Sequence, residues 1–518
     1  MRAIISVWDK QGVVDFSRAL GELGVEIIST GGTQAALSSA GVPVKAVTDL
    51  TGFPEILEGR VKTLHPLIHG GILARRDNPD DRSVMEEHGI EPIDLVIVNL
   101  YPFEQTIERA DTGLAEALAN IDVGGPTLIR AAAKNFKDVI VVVDPGDYGM
   151  VLDSLRNGNT LDDGARRHLA AKAFQHTAVY DTHVAGYLRP DDEPLPDEIT
   201  LAMRKVDDLR YGENPHQAAA FYVHTPSPQR GATLAGGRQL HGKQLSFNNL
   251  LDIDAALQAV RTFAAPTVAI VKHGNPCGLS CADSLLDAYQ HAHAGDPISA
   301  FGGAVGLNRE VDAGTATEIA QTFYEDIVAP SFTDDALKIL TKKRDLRLFQ
   351  VDFRPFDPQT LRVAPTLAMD VRRVSGGFLV QTPDDVPEDA ITLKKVSDRE
   401  PTLDELTDMM FAWRVVKFVK SNAIVLASRL SIVGVGAGQM SRVDAVDLAV
   451  RKAGGRAVGS VLASDAFFPK PDGVELAAEA GVTAIIQPGG SIRDSEIIRS
   501  VNKHHMAMVT TGFRHFRH

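Results

Sequence analysis

AIISVWDKQGVVDFSRALGELGVEIISTGGTQAALSSAGVPVKAV, residues Ala3–Val47, decides the fold of the first part of this chain. Its apolar, largely β-branched runs Ala3–Val7, Val25–Ser29 and Val42–Val47 read as strands. Gly12–Leu23 and Gln34–Ser39, between them, read as helices. The order β-α-β-α-β predicts a parallel sheet and an α/β class. Ile93–Asn99 and Asp138–Val143 are two further strands.

The turn after the second strand is STGGT: Ser29, Thr30, Gly31, Gly32 and Thr33. Glycines at a strand-to-helix turn free backbone N–H groups, and the helix start adds positive potential, so a phosphate fits there. From these five residues alone, a plain hydroxyl-capped helix is an equally good reading. Lys10, after the first strand, could reach the same anion. The motif is neither GxGxxG nor a Walker loop, so neither a dinucleotide nor ATP is indicated. GRVKTLHPLIHGGIL, Gly59–Leu73, crowds Arg60, Lys62, His65 and His69 into a segment with little periodicity, which reads as a loop of fixed shape.

A second stretch, TVAIVKHGNPCGLS at Thr267–Ser280, opens as a buried strand and breaks into Lys272, His273 and a Gly/Asn/Pro turn. Strand ends are where open α/β sheets bind ligands. An isolated Lys-His pair reads equally as a solvated lysine beside a packed histidine.

At 518 residues the chain is long enough for roughly three domains. Its 53 basic and 67 acidic side chains leave a net charge of −14 with no Lys/Arg block, which argues against nucleic acid as a partner. Any phosphate site must be local. Two cysteines exclude a disulfide scaffold and fit a reducing compartment. MRAIISVWDK begins a strand rather than a signal peptide, and no apolar run approaches the roughly 18 residues of a membrane span. The expectation is a cytoplasmic protein with no membrane partner. Leu188–Thr200, rich in Pro and acid, reads as a linker, with a boundary near residue 198.

STGGT, GRVKTLHP, NLYPF, IDVGGPT and AAAKN, in this order, resemble the inosine monophosphate (IMP) cyclohydrolase domain of the bifunctional purine biosynthesis family. LRYGENPHQ and SFNNLLD resemble its second half, the phosphoribosylaminoimidazolecarboxamide (AICAR) formyltransferase. The resemblance implies a methylglyoxal-synthase-like parallel sheet domain at 1–197. It implies a formyltransferase region at 198–518, built of two cytidine-deaminase-like α/β lobes, roughly 198–365 and 366–518. In the first domain, Lys10 and the Ser29–Thr33 loop would hold a ribose 5′-phosphate. Arg60, Lys62, Thr63, Asn99, Tyr101, Asp122 and Lys134 would surround the reacting atoms. Asp122 and Lys134 would move protons, while Lys62 and Tyr101 would stabilise charge. Trp8 and Phe136 depart from the family pattern, where Ser and His are common.

In the second region the resemblance makes Lys272 and His273 the catalytic pair, with Asn422 orienting the formyl oxygen or His273. A histidine, with an ordinary pKa of about 6.5, suits removal of the amine proton. Arg210, Tyr211 and the C-terminal Arg514 would bind the nucleotide phosphate; without the family match that tail reads as a frayed basic end. Asn249, Phe301, Asp326, Arg442 and Phe467 would line the nucleotide and folate site. An Asn before a helix is otherwise more often a cap. Lys470 replaces a common Phe.

The two lobes show as a weak internal duplication. AIVKHGNPCG at Ala269 is set against AIVLASRLSI at Ala423, which places Asn422 at the counterpart of the Lys-His end. A zinc deaminase needs H-x-E and P-C-x-x-C. Here His273 is followed by Gly and Asn, and Cys277 and Cys281 are spaced PC-x3-C, so no metal is expected and the cysteines read as packed small residues. The cosubstrate implied is 10-formyltetrahydrofolate, with no tightly bound cofactor and room for a structural monovalent cation whose ligands the sequence does not name. The family typically forms a homodimer. Residues 342–398 carry charge and no recognisable chemistry. A one-site enzyme and a nucleotide-binding regulator are the competing readings. The presence of Lys62, Tyr101, Asp122, Lys134, Lys272, His273 and Asn422 together favours two-site catalysis.

Overall fold

The structure, a computed structural model, describes residues 1–109, 111–158, 161–190, 193–225, 233–353 and 369–518. They fall into two compact units. The first comprises Met1–Arg204 with 224–225 and 369–381; the second comprises Lys205–Val223, 233–353 and Thr382–His518. The proposed lobe boundary at 365/366 lies outside the described residues.

The first unit is built on five strands: β1 (Arg2–Val7), β2 (Glu26–Ser29), β3 (Lys45–Ala46), β4 (Leu95–Asn99) and β5 (Ile140–Val142). Their order is β3-β2-β1-β4-β5, parallel throughout. The Ile/Val runs that mark these strands are buried on both faces, as crossover helices require. Strand order reverses beside β1 and β4, so their C-terminal ends open a crevice. The helix Asp163–Leu188 stops where the acidic, Pro-rich segment begins.

One expectation fails here. Gly59–Leu73 is not a loop throughout: Pro66–Leu73 is a helix. The His65 ring accepts the Leu67 N–H at 3.2 Å, and Pro66 fills the first helical position. Gly70 and Gly71 hid the helix from a period search; a Cβ on Gly71 would lie 2.4 Å from the Glu91 carbonyl.

Next in the chain is a ribbon of β6 (Met203–Asp208) and β7 (Ala220–His224). The second unit then lays down β8 (Arg238–His241), β9 (Thr267–Lys272), β10 (Asn275–Cys281), β11 (Ala304–Leu307), β12 (Asp326–Ala329) and β13 (Arg347–Gln350). A separate hairpin follows, β14 (Asp370–Val374) with β15 (Gly377–Gln381). The chain resumes with β16 (Lys394–Lys395), β17 (Ile424–Ser428), β18 (Ser431–Gly436), β19 (Val461–Ser464), β20 (Ala484–Gln487) and β21 (Ala507–Thr510). Twelve of these strands make one sheet, ordered β16-β21-β20-β19-β17-β18-β10-β9-β11-β12-β13-β8.

Read from either end, the pairings run antiparallel, parallel, parallel, antiparallel, antiparallel and meet at the antiparallel seam β10–β18. The duplication is therefore real. At the seam the Ser280 and Ser431 hydroxyls share a 2.7 Å hydrogen bond. A helix packs so closely on each inner strand that only Gly fits. A Cβ on Gly278 would stand 2.0 Å from the Ala292 carbonyl, and one on Gly434 2.2 Å from that of Ala449.

Two expectations need correction. The Gly/Asn/Pro stretch after Lys272 and His273 is not a turn throughout, since Asn275–Cys281 is strand β10. Lys272 and His273 close a tight hairpin in which His273 (φ 55°) and Gly274 (φ 71°) both adopt left-handed backbone. The repeat alignment also slips by two residues, because the corresponding turn is Arg429 (φ 52°) and Leu430 (φ 54°). A slip of two keeps every strand side chain on its own face, so the apolar pattern cannot detect it. Asn422 is thus not the counterpart of the Lys-His end; it precedes β17. It shares a sheet edge with Lys272 because β9 runs upward where β17 starts downward.

Candidate functional sites

In the first unit the cations gather at the start of the helix Gly31–Ser39. A Cβ on Gly31 (φ 53°) would sit 3.3 Å from Lys62 Nζ, and one on Gly32 3.9 Å from Lys10 Nζ. Thr30 occupies the cap position, yet its side chain makes no capping bond. The amide-rich turn is thus faced by two ammonium groups, the arrangement an anion needs. Lys62 is held by Glu55 at 2.9 Å. Ser29 and Thr33 differ from expectation. The Ser29 hydroxyl donates to the Ile5 carbonyl at 2.6 Å, and Thr33 Oγ1 takes the Val7 N–H and donates to its carbonyl, both at 2.9 Å. These buried hydroxyls tie the turn to β1 and are not spare donors. Arg60 likewise turns its Nε to the Leu57 carbonyl.

Asn99, at the end of β4, takes the N–H groups of Trp8 and Asp9 at 2.7 and 3.0 Å, fixing the loop that carries Lys10. The exposed Tyr101 and Asn99 border a cavity of about 550 Å³ with Asp9, Lys172 and His176. No motif pointed to those last three: they reach the crevice by topology, Lys172 and His176 from the long helix. Burial lowers the His176 pKa from its ordinary value. Thr63 is buried, and its Oγ1 lies 2.8 Å from where a Gly124 Cβ would be. Asp122 accepts the Gly125 N–H at 2.9 Å, while burial holds its carboxyl above the usual range.

Lys134 is not beside Asp122. The two flank the helix Gly124–Lys134, a span of roughly 15 Å at 1.5 Å per residue. Its neighbour Asn135 bonds to the carbonyls of Ile72 and Ala74, at the N-terminal edge of the sheet, away from Asn99 and Gly31.

In the second unit Lys272 and His273 border a cavity of about 450 Å³, with Cys277, Asp296, Ile298 and Lys452 among its other walls. His273 is exposed and Lys272 half-buried. Lys272 Nζ donates to the Phe301 carbonyl. Burial drives the Cys277 thiol up to about 12, so it enters as a packed, unionised group. Asn249 caps its helix by taking the Ser246 N–H, yet its Nδ2 also donates to Asp326 at 2.9 Å. Asp326 is 1% exposed and burial raises it to about 7, against the lowering pull of Asn249 and Arg347. The Arg210 guanidinium stacks on Tyr211, and the backbone of both is bonded to the residues preceding the Asn249 helix.

A second set gathers on Asp465, which is wholly buried. It accepts the Ala423 N–H at 3.1 Å, the Ser421 hydroxyl and the Arg442 guanidinium. Arg442 is 6% exposed and anchors the segment before β17. Asn422 spends its Nδ2 hydrogens on the carbonyls of Gln439 and Met440, at 2.8 and 3.3 Å. The C-terminal tail is not frayed: His515 is buried against Trp413 and bonded to Asp384 at 2.7 Å. Arg514 remains exposed and stacks on Phe516. Phe467 is partly exposed, as is Lys470. Asn275 joins the two sets, its Oδ1 taking the Lys420 N–H at 2.9 Å.

Two separate constellations of acidic, basic and cationic groups, one in each unit, are the layout of a two-site enzyme for small molecules. The pattern of the MGS-like domain matches residues 12–127, and that of the AICARFT/IMPCHase bienzyme matches 132–452. The "Bifunctional purine biosynthesis protein PurH" of Anoxybacillus flavithermus is 52% identical over 518 residues, covering 100% of this chain and 99% of the relative. A solved structure titled "Crystal structure of ForH" is 41% identical, covering 36% of this chain and 97% of that one, with a TM-score of 0.33. The chain belongs to the AICARFT/IMPCHase bienzyme family. It is a bifunctional enzyme of purine biosynthesis with AICAR formyltransferase and IMP cyclohydrolase activities, and its formyl transfer calls for a folate-type cosubstrate. Among the described residues no helix is long and apolar enough to cross a membrane.

Proposed function

We propose that the two activities divide at about residue 198, cyclisation before it and formyl transfer after it. In the first site the amides of Gly31 and Gly32, with Lys10 and Lys62, hold the ribose phosphate. The carboxamide nitrogen of formyl-AICAR attacks the formyl carbon. Asp122, its carboxyl raised by burial, takes a proton from the carboxamide nitrogen and passes it to the formyl oxygen. It then moves the formamide N–H proton to the resulting hydroxyl, which leaves as water as the C=N bond of IMP forms. Lys62 and Tyr101 steady the oxyanion.

In the second site His273 takes the proton of the AICAR 5-amino group as it attacks the formyl carbon of 10-formyltetrahydrofolate. The C–N10 bond breaks, and Lys272 supplies the proton to N10. Arg210, Tyr211 and Arg514 grip the nucleotide phosphate, and Asn249, Asp326, Phe301 and Phe467 line the remainder. We read the enzyme as a cytoplasmic homodimer.

The observation that carries this reading is the grouping of the two proton-handling sets into different compact units. Purified protein given AICAR and 10-formyltetrahydrofolate releases tetrahydrofolate and forms IMP. His273→Ala abolishes formyl transfer but still cyclises supplied formyl-AICAR, and Asp122→Asn does the reverse. Loss of both activities in either folded variant would falsify the division.

A further inference from the structure

The turn that presents His273 is held from below. Asp252, in the helix Phe247–Arg261, accepts the Gly274 N–H on Oδ1 at 2.6 Å. The His273 N–H also bonds to this carboxylate, and the Lys272 and His273 side chains are near enough to act on its charge. Burial raises the Asp252 pKa, and those two amides with the neighbouring His273 and Lys272 side chains oppose the rise. Asp326, in β12, is the other titratable group turned towards it.

The duplicated half repeats the device. Asp408, in the helix Leu403–Val416, accepts the Arg429 N–H on Oδ2 at 2.8 Å and the Leu430 N–H on Oδ1 at 2.7 Å. Each Asp is the sixth residue of its helix and stands 22 residues before the second turn residue. One carboxylate thus serves both amides of a left-handed turn in each half. Of the two, the turn with Lys272 and His273 borders the cavity of about 450 Å³.

From this we infer that Asp252 is a positioning residue for formyl transfer: its carboxylate grips the hairpin turn and aims His273 into the cavity. This rests on the assignment of His273 above. The left-handed backbone of a non-glycine residue persists only where its surroundings enforce it. His273 is exposed, and the contact that holds the amides of its turn is the Asp252 carboxylate. With the grip gone, the ring swings off the line of attack, while the nucleotide contacts at Arg210 and Tyr211 stay as they are. Misplacement by about 1 Å can lower a rate by 10²-fold.

Asp408 supplies the control, because it does the same structural work at a turn with no chemistry. The test compares Asp252→Ala, Asp252→Asn and Asp408→Ala in the full-length protein, with His273→Ala alongside. Formyl-transfer kcat, KM for AICAR, cyclisation of formyl-AICAR and melting temperature are measured for each. Asp252→Ala is expected to lower formyl-transfer kcat about 100-fold with KM for AICAR within threefold. Asp252→Asn recovers about tenfold of that loss, since an amide oxygen still accepts the Gly274 N–H. Asp408→Ala lowers the melting temperature by a similar amount to Asp252→Ala but leaves kcat within threefold. Cyclisation is unchanged in all of them.

Equal kcat losses at Asp252 and Asp408, or a kcat loss that tracks the melting temperature, would overturn the inference. So would full formyl transfer in Asp252→Ala or Asp252→Asn while His273→Ala is inactive. Should Asp252→Ala not fold, Asp252→Asn, of the same shape, decides by the same comparison. Retained formyl transfer in His273→Ala instead sinks the assignment of His273.

Discussion

Replacing Asp326 with Asn makes a quantitative test of the second site's electrostatics. The carboxyl is buried, its Oδ1 has no hydrogen-bond partner, and its pKa is pushed up to about 7 from an ordinary 3.8. Between those values the folded protein holds a proton that the unfolded chain releases. Stability supplied by that proton is complete below pH 4 and is lost as pH rises towards 7. The slope is about 1.4 kcal/mol per pH unit. The Asn variant has no proton to lose. Its stability relative to the parent should therefore grow by roughly 2–3 kcal/mol between pH 5 and pH 8. For a unit of this size that is a melting-temperature gain of about 5 °C, at roughly 2 °C per kcal/mol. Differential scanning calorimetry at fixed ionic strength reads it directly. A gap independent of pH between 5 and 8 would refute the reasoning, showing that Arg347, 3.8 Å away, keeps Asp326 ionised.

Other expectations follow from single contacts. Thr33→Val removes both bonds to Val7, destabilising the first unit by about 1–3 kcal/mol in urea melts. It should raise KM for cyclisation and leave formyl transfer alone. Gly436→Ala would put a Cβ 1.8 Å from the Ala445 carbonyl, so the melting transition of the second unit should drop by about 3 kcal/mol or the chain should fail to fold. Cys277, with its thiol near 12, should be alkylated by iodoacetamide at pH 8 at least a hundredfold more slowly than an exposed peptide thiol, as followed by mass spectrometry.

The first sheet was legible because parallel strands buried on both faces leave continuous Ile/Val runs, and crossover helices separate them at regular intervals. The Lys272–His273 pair was legible as a strand end, but the hairpin was not. His273 at positive φ breaks the usual preference for Gly or Asn, and what enforces it is Asp252, distant in sequence. Ser29 and Thr33 looked like ligands because a hydroxyl's partner is invisible until β1 is laid beside it. The ion pair of Arg442 was hidden for the same reason: Asp465, its buried partner, follows another strand. The resemblance gave Asp122 and Lys134 one task, but the helix Gly124–Lys134 lies between them, a separation no motif could show.

The Ser280–Ser431 seam has a historical reading. Split there, each half of the long sheet would bare a full inner strand, an edge that recruits whatever extended backbone it meets. A half-length progenitor would have met that demand with a twin. Fused in tandem, the twins no longer need to find each other, and selection on one turn is released from selection on the other. Lys272–His273 and Arg429–Leu430, gripped alike and chemically unlike, are what that release permits.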